Sequence, residues 1–383
     1  MKNQLLFTPG PVNVTKKVRE AISKKDICHR EPDFDRLLLS IESKLLKLLE
    51  IKNVTDYRAV VITGSGTAAN EAILSSIVGD KNILILSNGE FGERLYNISK
   101  IYNRNTFLLD FGWAKKLELG KIEAYLKSHK IDIVAMVHHE TSSGMLNPLD
   151  KIGALIKANG ALFVVDCVSS FGVEVINMEK CHIAFCSSTS SKGISSYTGL
   201  SFVAGKIEEF EKLKTLPVKT GYLNLYTFYY MLTTASQTPN TPAIHLFYAL
   251  EQALINILDK GISNHYDKLK RKAYILRKGM QKLNLKFLID QKDMCSMLTT
   301  VYIPSYIDMS VFRQKLRQKS IIIYEGKGCF KNKVFQVGNI GKLSFDNIRF
   351  FLNYLRKVLK RFYKIETKRN SIIKKRVLKS NSY

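Results

Sequence analysis

No apolar run in the 383-residue chain approaches the roughly 18 to 20 residues that a membrane span needs. The N-terminus, MKNQLLFTPGPVNV, has one lysine and only the Leu5-Leu6-Phe7 patch before Pro9, so no signal peptide is expected. Cysteine is sparse. Its six residues (Cys28, Cys167, Cys181, Cys186, Cys295 and Cys329) are scattered without metal-ligand spacing or a disulfide framework, so free thiols and no metal site are expected. Internal repeats and low-complexity blocks are lacking ahead of the C-terminal tail, as are zinc spacings and RNA-binding signatures. The expectation is a soluble, cytoplasmic protein.

Acidic residues are the other shortage: 33 Asp and Glu against 59 Lys and Arg leave a formal charge of +26. Such a surplus attracts nucleic acid, anionic lipid or an anionic substrate. It is uneven, since Arg356 to Tyr383 holds eleven basic residues and one acid, Glu366, so the tail carries +10 and the rest +16. A helix end fraying into a solvated basic tail is the plainer reading, and peripheral membrane contact is the alternative. Nucleic acid is not an expected partner. With 45% hydrophobic and 24% charged residues, the composition is that of a folded globular protein and excludes extended disorder. The length suits two domains, or one large domain with a smaller companion.

Between residues 58 and 205, short apolar runs alternate with amphipathic stretches. Strands are expected at 59–63, 82–87, 105–111, 132–139, 161–167, 183–188 and 200–206, several of them apolar throughout, as in strands covered on both faces. Helices are expected at 67–78, 93–102, 119–129 and 148–159. Regular alternation of this kind predicts a mainly parallel sheet, with ligands at the carboxyl ends of its strands. A long helical pattern then runs from Ala243 to about Lys282. Strands at 286–290, 297–304, 320–326 and 333–338 follow, with a last helix from about Ser344. The expected organisation is a large domain over 16–245, a smaller α+β domain over 246–362 joined by residues 1–15, and a basic tail over 363–383.

Three strand ends carry chemistry. VITGSGTAANEA places Ser65, Gly66 and Thr67 between a strand and a helix, where free backbone N–H groups and a hydroxyl can cradle a phosphate. It is neither a Walker loop nor a dinucleotide fingerprint, because no Gly-Lys-Ser/Thr follows and the third glycine position is Ala69. ALFVVDCVSSFG ends a strand with Asp166, an acid that must find a partner if buried, either by capping the next segment or by holding a cationic ring nitrogen. Lys192, in SSTSSKG, follows the next strand among small residues, and an amine in a protected site can lose its proton and attack a carbonyl carbon. Phosphate cradle, acid and lysine together meet the needs of pyridoxal 5′-phosphate (PLP).

In order, the motifs LLFTPGPVNV, GSGTAANEA, NGEFGER, HHETSSGMLNPL, VVDCVSSFG, SSTSSKG, TPNTPAIH and FQVGNIG run from about Leu5 to about Leu359. This set resembles the class V, fold type I PLP-dependent aminotransferases, the group that holds 2-aminoethylphosphonate–pyruvate and alanine/serine–glyoxylate transaminases. The resemblance implies an α/β fold with a large, mainly parallel seven-stranded sheet and a smaller α+β C-terminal domain. It implies that Lys192 bonds the cofactor and moves protons, that Asp166 pairs with the pyridinium nitrogen, and that Phe91 stacks on the ring. Ser65, Gly66 and Thr67 would bind the phosphate with Ser191 beside them, and Thr141 would approach the cofactor's O3′ and the reacting carbon. Thr241 would reach the phosphate in a neighbouring subunit, making the active unit a homodimer, and Gly10 and Pro11 would line the substrate entrance. Blander roles stay open for three features: Phe91 as core, His138 and His139 as a strand-end pair, and Thr241 as the start of a helix.

One position departs from the family. Where many relatives carry an arginine that grips a carboxylate as a fork, this chain has Gln336, expected at the substrate site with hydrogen-bonding capacity but no charge. Arg30, in CHREPDF, or Lys327 or Lys331 would then hold the substrate's anion. The expected function is transamination of a small anionic amine, foremost 2-aminoethylphosphonate, with pyruvate or alanine. The alternatives are an alanine/serine–glyoxylate type, another PLP reaction such as decarboxylation or a lyase step, and a non-enzymatic scaffold or nucleic-acid binder.

Overall fold

The protein, seen in a computed structural model, is described over residues 4–77 and 79–380, with side chains as far as Thr367. It opens on a two-residue strand, β1 (Leu5–Leu6), and then builds its main sheet. The strands follow as β2 (Tyr57–Thr63), β3 (Ile83–Ser87), β4 (Thr106–Asp110) and β5 (Ile133–Val137). A hairpin of β6 (His139–Glu140) and β7 (Met145–Leu146) comes next, before β8 (Leu162–Asp166), β9 (Ile183–Thr189) and β10 (Leu200–Lys206). Seven strands lie in the order β2-β10-β9-β8-β5-β3-β4, and only β10 runs antiparallel to its neighbours. Every residue of β3, β5 and β9 is buried, which is why these runs read as unbroken apolar sequence.

All seven expected strands are present, and the four helices between them span Gly66–Ser76, Glu90–Tyr102, Leu119–Ser128 and Leu149–Ala158. From β3 the chain steps outward to β4 and then returns to β5 on the other side of β3. Such a reversal opens a crevice at the carboxyl ends of the strands. Ser87, Val137, Asp166 and Thr189 are the last residues of β3, β5, β8 and β9, the adjoining strands inside β4 in the parallel part of the sheet.

The expected helix from Ala243 to Lys282 is two helices, Ile244–Leu258 and Ile262–Gln281. Gly261, at φ 79°, breaks it in a conformation that side-chain-bearing residues avoid. The first helix buries Phe247, Leu250 and Leu254 in the same cluster as the main sheet. The second part of the chain forms β11 (Leu298–Tyr302), β12 (Ile321–Ile322), β13 (Tyr324–Glu325) and β14 (Val334–Gly338). Here the expected strand 320–326 is divided: β12 runs parallel to β1, and β13 turns to pair with β14. Residues 286–290 form no full strand and pair with β11 through one bridge, Phe287 to Val301.

A second cluster joins Phe7 to Val301, Phe335 and Phe351, with the Phe7 and Phe351 rings 4.7 Å apart, so the N-terminal segment packs with this smaller unit. The last helix is Phe345–Ser380 and takes in most of the segment expected as a tail. Its sequence has no Gly or Pro, and Lys and Arg are good helix formers. Most of the tail's basic side chains, and residues 381–383, lie outside the described residues. Among those described, no helix is long and apolar enough to cross a membrane.

Candidate active site

Asp166 closes β8, and Lys192 follows β9 in a tight turn that returns Ser196 N to the Ser190 carbonyl at 2.9 Å. That turn lies on the loop after β8: a Cβ built on Gly193 would fall 2.1 Å from the Phe171 carbonyl oxygen, so only glycine fits. The close approach lets Lys192 Nζ donate to Ser169 Oγ at 2.8 Å. Burial pushes the ammonium down to about 8, Asp166 opposes that shift, and Lys327 adds to it. The amine is therefore within reach of its neutral form near neutrality.

Asp166 is buried and fully engaged. Its Oδ2 accepts from Asn70 Nδ2 at 2.6 Å and its Oδ1 from Val168 N at 2.8 Å. Asn70 Oδ1 in turn accepts from Ser187 Oγ on β9, so helix Gly66–Ser76 is pinned to two neighbouring strands at the acid. Burial pushes the Asp166 carboxyl up, and the bonds from Val168 and Asn70 and the charge of Lys192 pull it back. An acid held this way is suited to a cationic partner.

Around the same crevice, Phe91 lies in the first turn of helix Glu90–Tyr102 and carries three cations near its ring. Arg94 Cζ is 4.7 Å from the centroid, Lys327 Nζ 5.1 Å and Lys192 Nζ 5.6 Å. Glu90 Oε1 takes hydrogen bonds from Arg94 Nη2 at 2.8 Å and Lys327 Nζ at 3.1 Å. Glu140 fixes the Phe91 backbone, with Oε2 accepting from Phe91 N and Gly92 N, each at 3.1 Å. Its Oε1 accepts from Ser142 Oγ at 2.5 Å, tying the two strand-end loops together.

Ser65 precedes helix Gly66–Ser76, and a Cβ on Gly66 would come within 2.7 Å of Val168 Cγ2. The turn at Gly66 thus stacks directly on the Asp166 loop. Thr67 and Ser191 are half-buried, and Thr141 is buried in the β6–β7 turn. Gly10 lies against the lysine, where a Cβ would sit 3.1 Å from Lys192 Cγ, and its carbonyl accepts from Tyr324 OH at 3.1 Å. Pro11 beside it is exposed.

Other expected residues have partners within the chain. Arg30 is directed elsewhere: its guanidinium donates to Gln237 Oε1 at 2.9 Å and to the carbonyls of Thr238 and Pro239 at 2.8 and 3.2 Å. It fastens the segment that leads to Thr241, which is itself exposed. Gln336 is buried, and its Nε2 donates to the Thr141 and Ser142 carbonyls at 2.6 and 3.3 Å and to Thr300 Oγ1 at 3.3 Å. His138 and His139 are buried at the strand end, and burial pushes both down to about 3, so they are neutral. Asn70, Ser169, Glu140 and Arg94 do not stand out in the sequence. Their one signal there is a place inside the motifs GSGTAANEA, VVDCVSSFG, HHETSSGMLNPL and NGEFGER.

The family profile described as Aminotransferase class-V matches residues 28–349. The chain belongs to that family. It is 34% identical over 343 residues to an uncharacterized aminotransferase of Methanocaldococcus jannaschii, covering 88% of each chain. It is 30% identical to the 2-aminoethylphosphonate–pyruvate transaminase of Lysinibacillus sphaericus, over 90% of this chain and 94% of the relative. Among solved structures, an alanine–glyoxylate aminotransferase from Nostoc sp. superposes with a TM-score of 0.88 at 27% identity, over 94% of this chain and 96% of that one. This is a class V aminotransferase with the α/β fold of its family.

Proposed function

We propose that this aminotransferase uses PLP to move an amino group between 2-aminoethylphosphonate and pyruvate. The observation that carries the reading is Lys192, an amine brought down to about 8 and aligned at neighbouring strand ends with buried Asp166. The residues fit the cofactor: an amine for its aldehyde, an acid for its ring nitrogen, a phenyl face, and the amides of an eleven-residue helix for its phosphate. When bound, PLP supplies an electron sink for the bond broken at the substrate's amino-bearing carbon.

The chain's own residues do the rest. Lys192 Nζ, as a free amine, takes the proton from that carbon and returns it, steadied by Ser169 Oγ. Asp166 keeps its negative charge in place through Asn70 and Val168 N. Phe91 offers its ring as a stacking face, Gly66, Thr67 and Ser191 would hold the phosphate, and Thr141 would orient the reacting group. Thr241 serves the active site of a second copy, held out toward it by the Arg30 clamp, and the active unit is a homodimer. Two features support an anionic amine: relatives named for 2-aminoethylphosphonate, and the cations Lys327 and Arg94 at the Phe91 ring.

The test is the absorbance of PLP-loaded protein given 2-aminoethylphosphonate and no oxo acid. The band near ~420 nm should give way to one near ~330 nm, and pyruvate should restore it. A band that ignores this amine but responds to alanine or serine discards the phosphonate and keeps an alanine/serine–glyoxylate type of reaction. Turnover without the aminated cofactor accumulating points to a lyase or decarboxylase. A band that never forms sinks the reading built on Lys192.

A further inference from the structure

Away from the Phe91 crevice, a cavity of about 590 Å³ lies between helix Ile262–Gln281, the end of helix Ile244–Leu258 and the segment 341–347. Lys260, Lys268, Lys272, Lys342 and His265 line it, and among the described lining residues there is no carboxylate. Lys260, Lys268 and Lys342 are exposed, as lysines usually are, but Lys272 is only 4% exposed. Its ammonium reaches the Asn339 carbonyl at 3.5 Å, the outer limit of a hydrogen bond.

A lysine is seldom buried without an acid or several good acceptors beside it, because an uncompensated charge out of water is strongly unfavourable. Elsewhere the chain supplies a partner in each case: buried Glu42 has Arg58 at 3.1 Å, half-buried Lys44 has Glu251 at 3.4 Å, and buried Arg277 donates to the Cys295 and Leu298 carbonyls at 2.5 and 3.0 Å. Burial pushes Lys272 down to about 8, and the charges of Lys268 and Lys260 beside it add to that shift. Burial lowers the pKa of His265, its 2.8 Å contact from Nε2 to the Gly172 carbonyl opposes that, and Lys260, Lys272 and Lys268 add to the lowering. A cavity lined by repelling cations, with one of them buried, lacks a counter-charge that the chain does not supply.

We propose that this cavity binds a small, multiply charged phosphate-type oxyanion, with Lys272 as the buried contact and Lys260, Lys268 and Lys342 around it. The site is separate from the reaction proposed above and does not depend on it. Its position gives binding a consequence. Ser195 lines the cavity and donates through its backbone N to the Lys192 carbonyl at 2.9 Å, so the ligand touches the turn that carries the active-site lysine. Ile257 in the wall belongs to the main-sheet cluster and Leu343 to the smaller one, so the ligand also ties the two units together.

The experiment is calorimetric titration of the PLP-loaded protein with inorganic pyrophosphate, and in parallel with glycerol phosphate to separate inorganic from organic ligands. Loading with PLP first fills the phosphate cradle at Gly66. Binding should weaken by at least about tenfold in Lys272→Met, since the ligand loses its buried partner. The exposed double variant Lys260→Gln/Lys268→Gln should weaken it comparably, and it carries the test if Lys272→Met does not fold. Without ligand, Lys272→Met should unfold at the same or a higher temperature than the native chain, and it should lose the upward shift that pyrophosphate gives. The proposal is overturned if neither anion binds at millimolar concentration. It is equally overturned if binding survives both variants, or if Lys327→Gln or saturating 2-aminoethylphosphonate abolishes it, which would place the anion at the Phe91 crevice.

Discussion

Gln336 Nε2 donates to the carbonyl oxygen of Thr141 at 2.6 Å, across 195 residues of chain. The residue standing where an arginine fork was expected is thus engaged with the backbone of the turn that carries a candidate catalytic threonine. A neutral amide suits this position, because its two N–H donors serve two buried carbonyls and no charge has to be compensated.

Removing that amide leaves buried acceptors unpaired. Gln336→Ala should lower stability by about 1 to 3 kcal/mol in urea unfolding, the penalty for a buried group that loses its hydrogen bond. It should also reduce kcat more than it raises KM, because the Thr141 turn loosens while the cations at Phe91 stay in place. A rise in KM alone would mean that Gln336 contacts the substrate directly.

Lys192 makes the apoprotein's stability depend on pH. Its folded pKa of about 8 lies below the usual 10.5, so the unfolded chain binds more protons between those values. Stability from this group therefore rises with pH between about 8 and 10.5, and the penalty is fully present below about 8. Urea midpoints of the apoprotein at about pH 7 and about pH 9.5 should differ less in Lys192→Met than in the native chain. Capture of added PLP, followed by its visible band, should likewise quicken as pH rises through about 8, and Lys192→Met should form no such band.

Gly66 and Val168 should compensate one another. A methyl group on Gly66 meets Val168 Cγ2 at 2.7 Å, so Gly66→Ala should weaken PLP binding by about 1 to 3 kcal/mol, the usual range for overpacking. Adding Val168→Ala should recover most of that loss in a PLP titration. Equal weakening in the single and double variants would show that the glycine is needed for backbone approach to the phosphate instead.

Lys327 should matter to anionic substrates above all. Lys327→Gln should raise KM for 2-aminoethylphosphonate about tenfold, as expected for a lost charge-assisted contact, with the cofactor band unchanged. Trp113, the one tryptophan of the chain, packs its ring against Gly328 next to this lysine, so ligand binding should change its fluorescence. Unchanged KM and unchanged fluorescence would remove Lys327 from substrate recognition.

Local pattern was enough to locate the seven strands of the main sheet and the candidate pair, Asp166 and Lys192, at their ends. Apolar runs fully covered by helices are recognisable locally, and a lone Asp or Lys at the end of such a run has few inexpensive explanations. The order of motifs that marks the family was legible in the same way. What each side chain does followed from folding alone. Asn70 meets Asp166 across 96 residues and Gln336 meets Thr141 across 195, distances at which no spacing rule operates. Arg30, basic and next to an acidic residue, has the composition of an anion ligand, yet the fold turns it to the carbonyls before Thr241. The missing counter-charge at Lys272 is likewise invisible in sequence, where 59 basic residues look alike until folding buries a few of them. Periodicity sets which residues face a core, while partners are chosen by packing between segments that only the folded chain brings together.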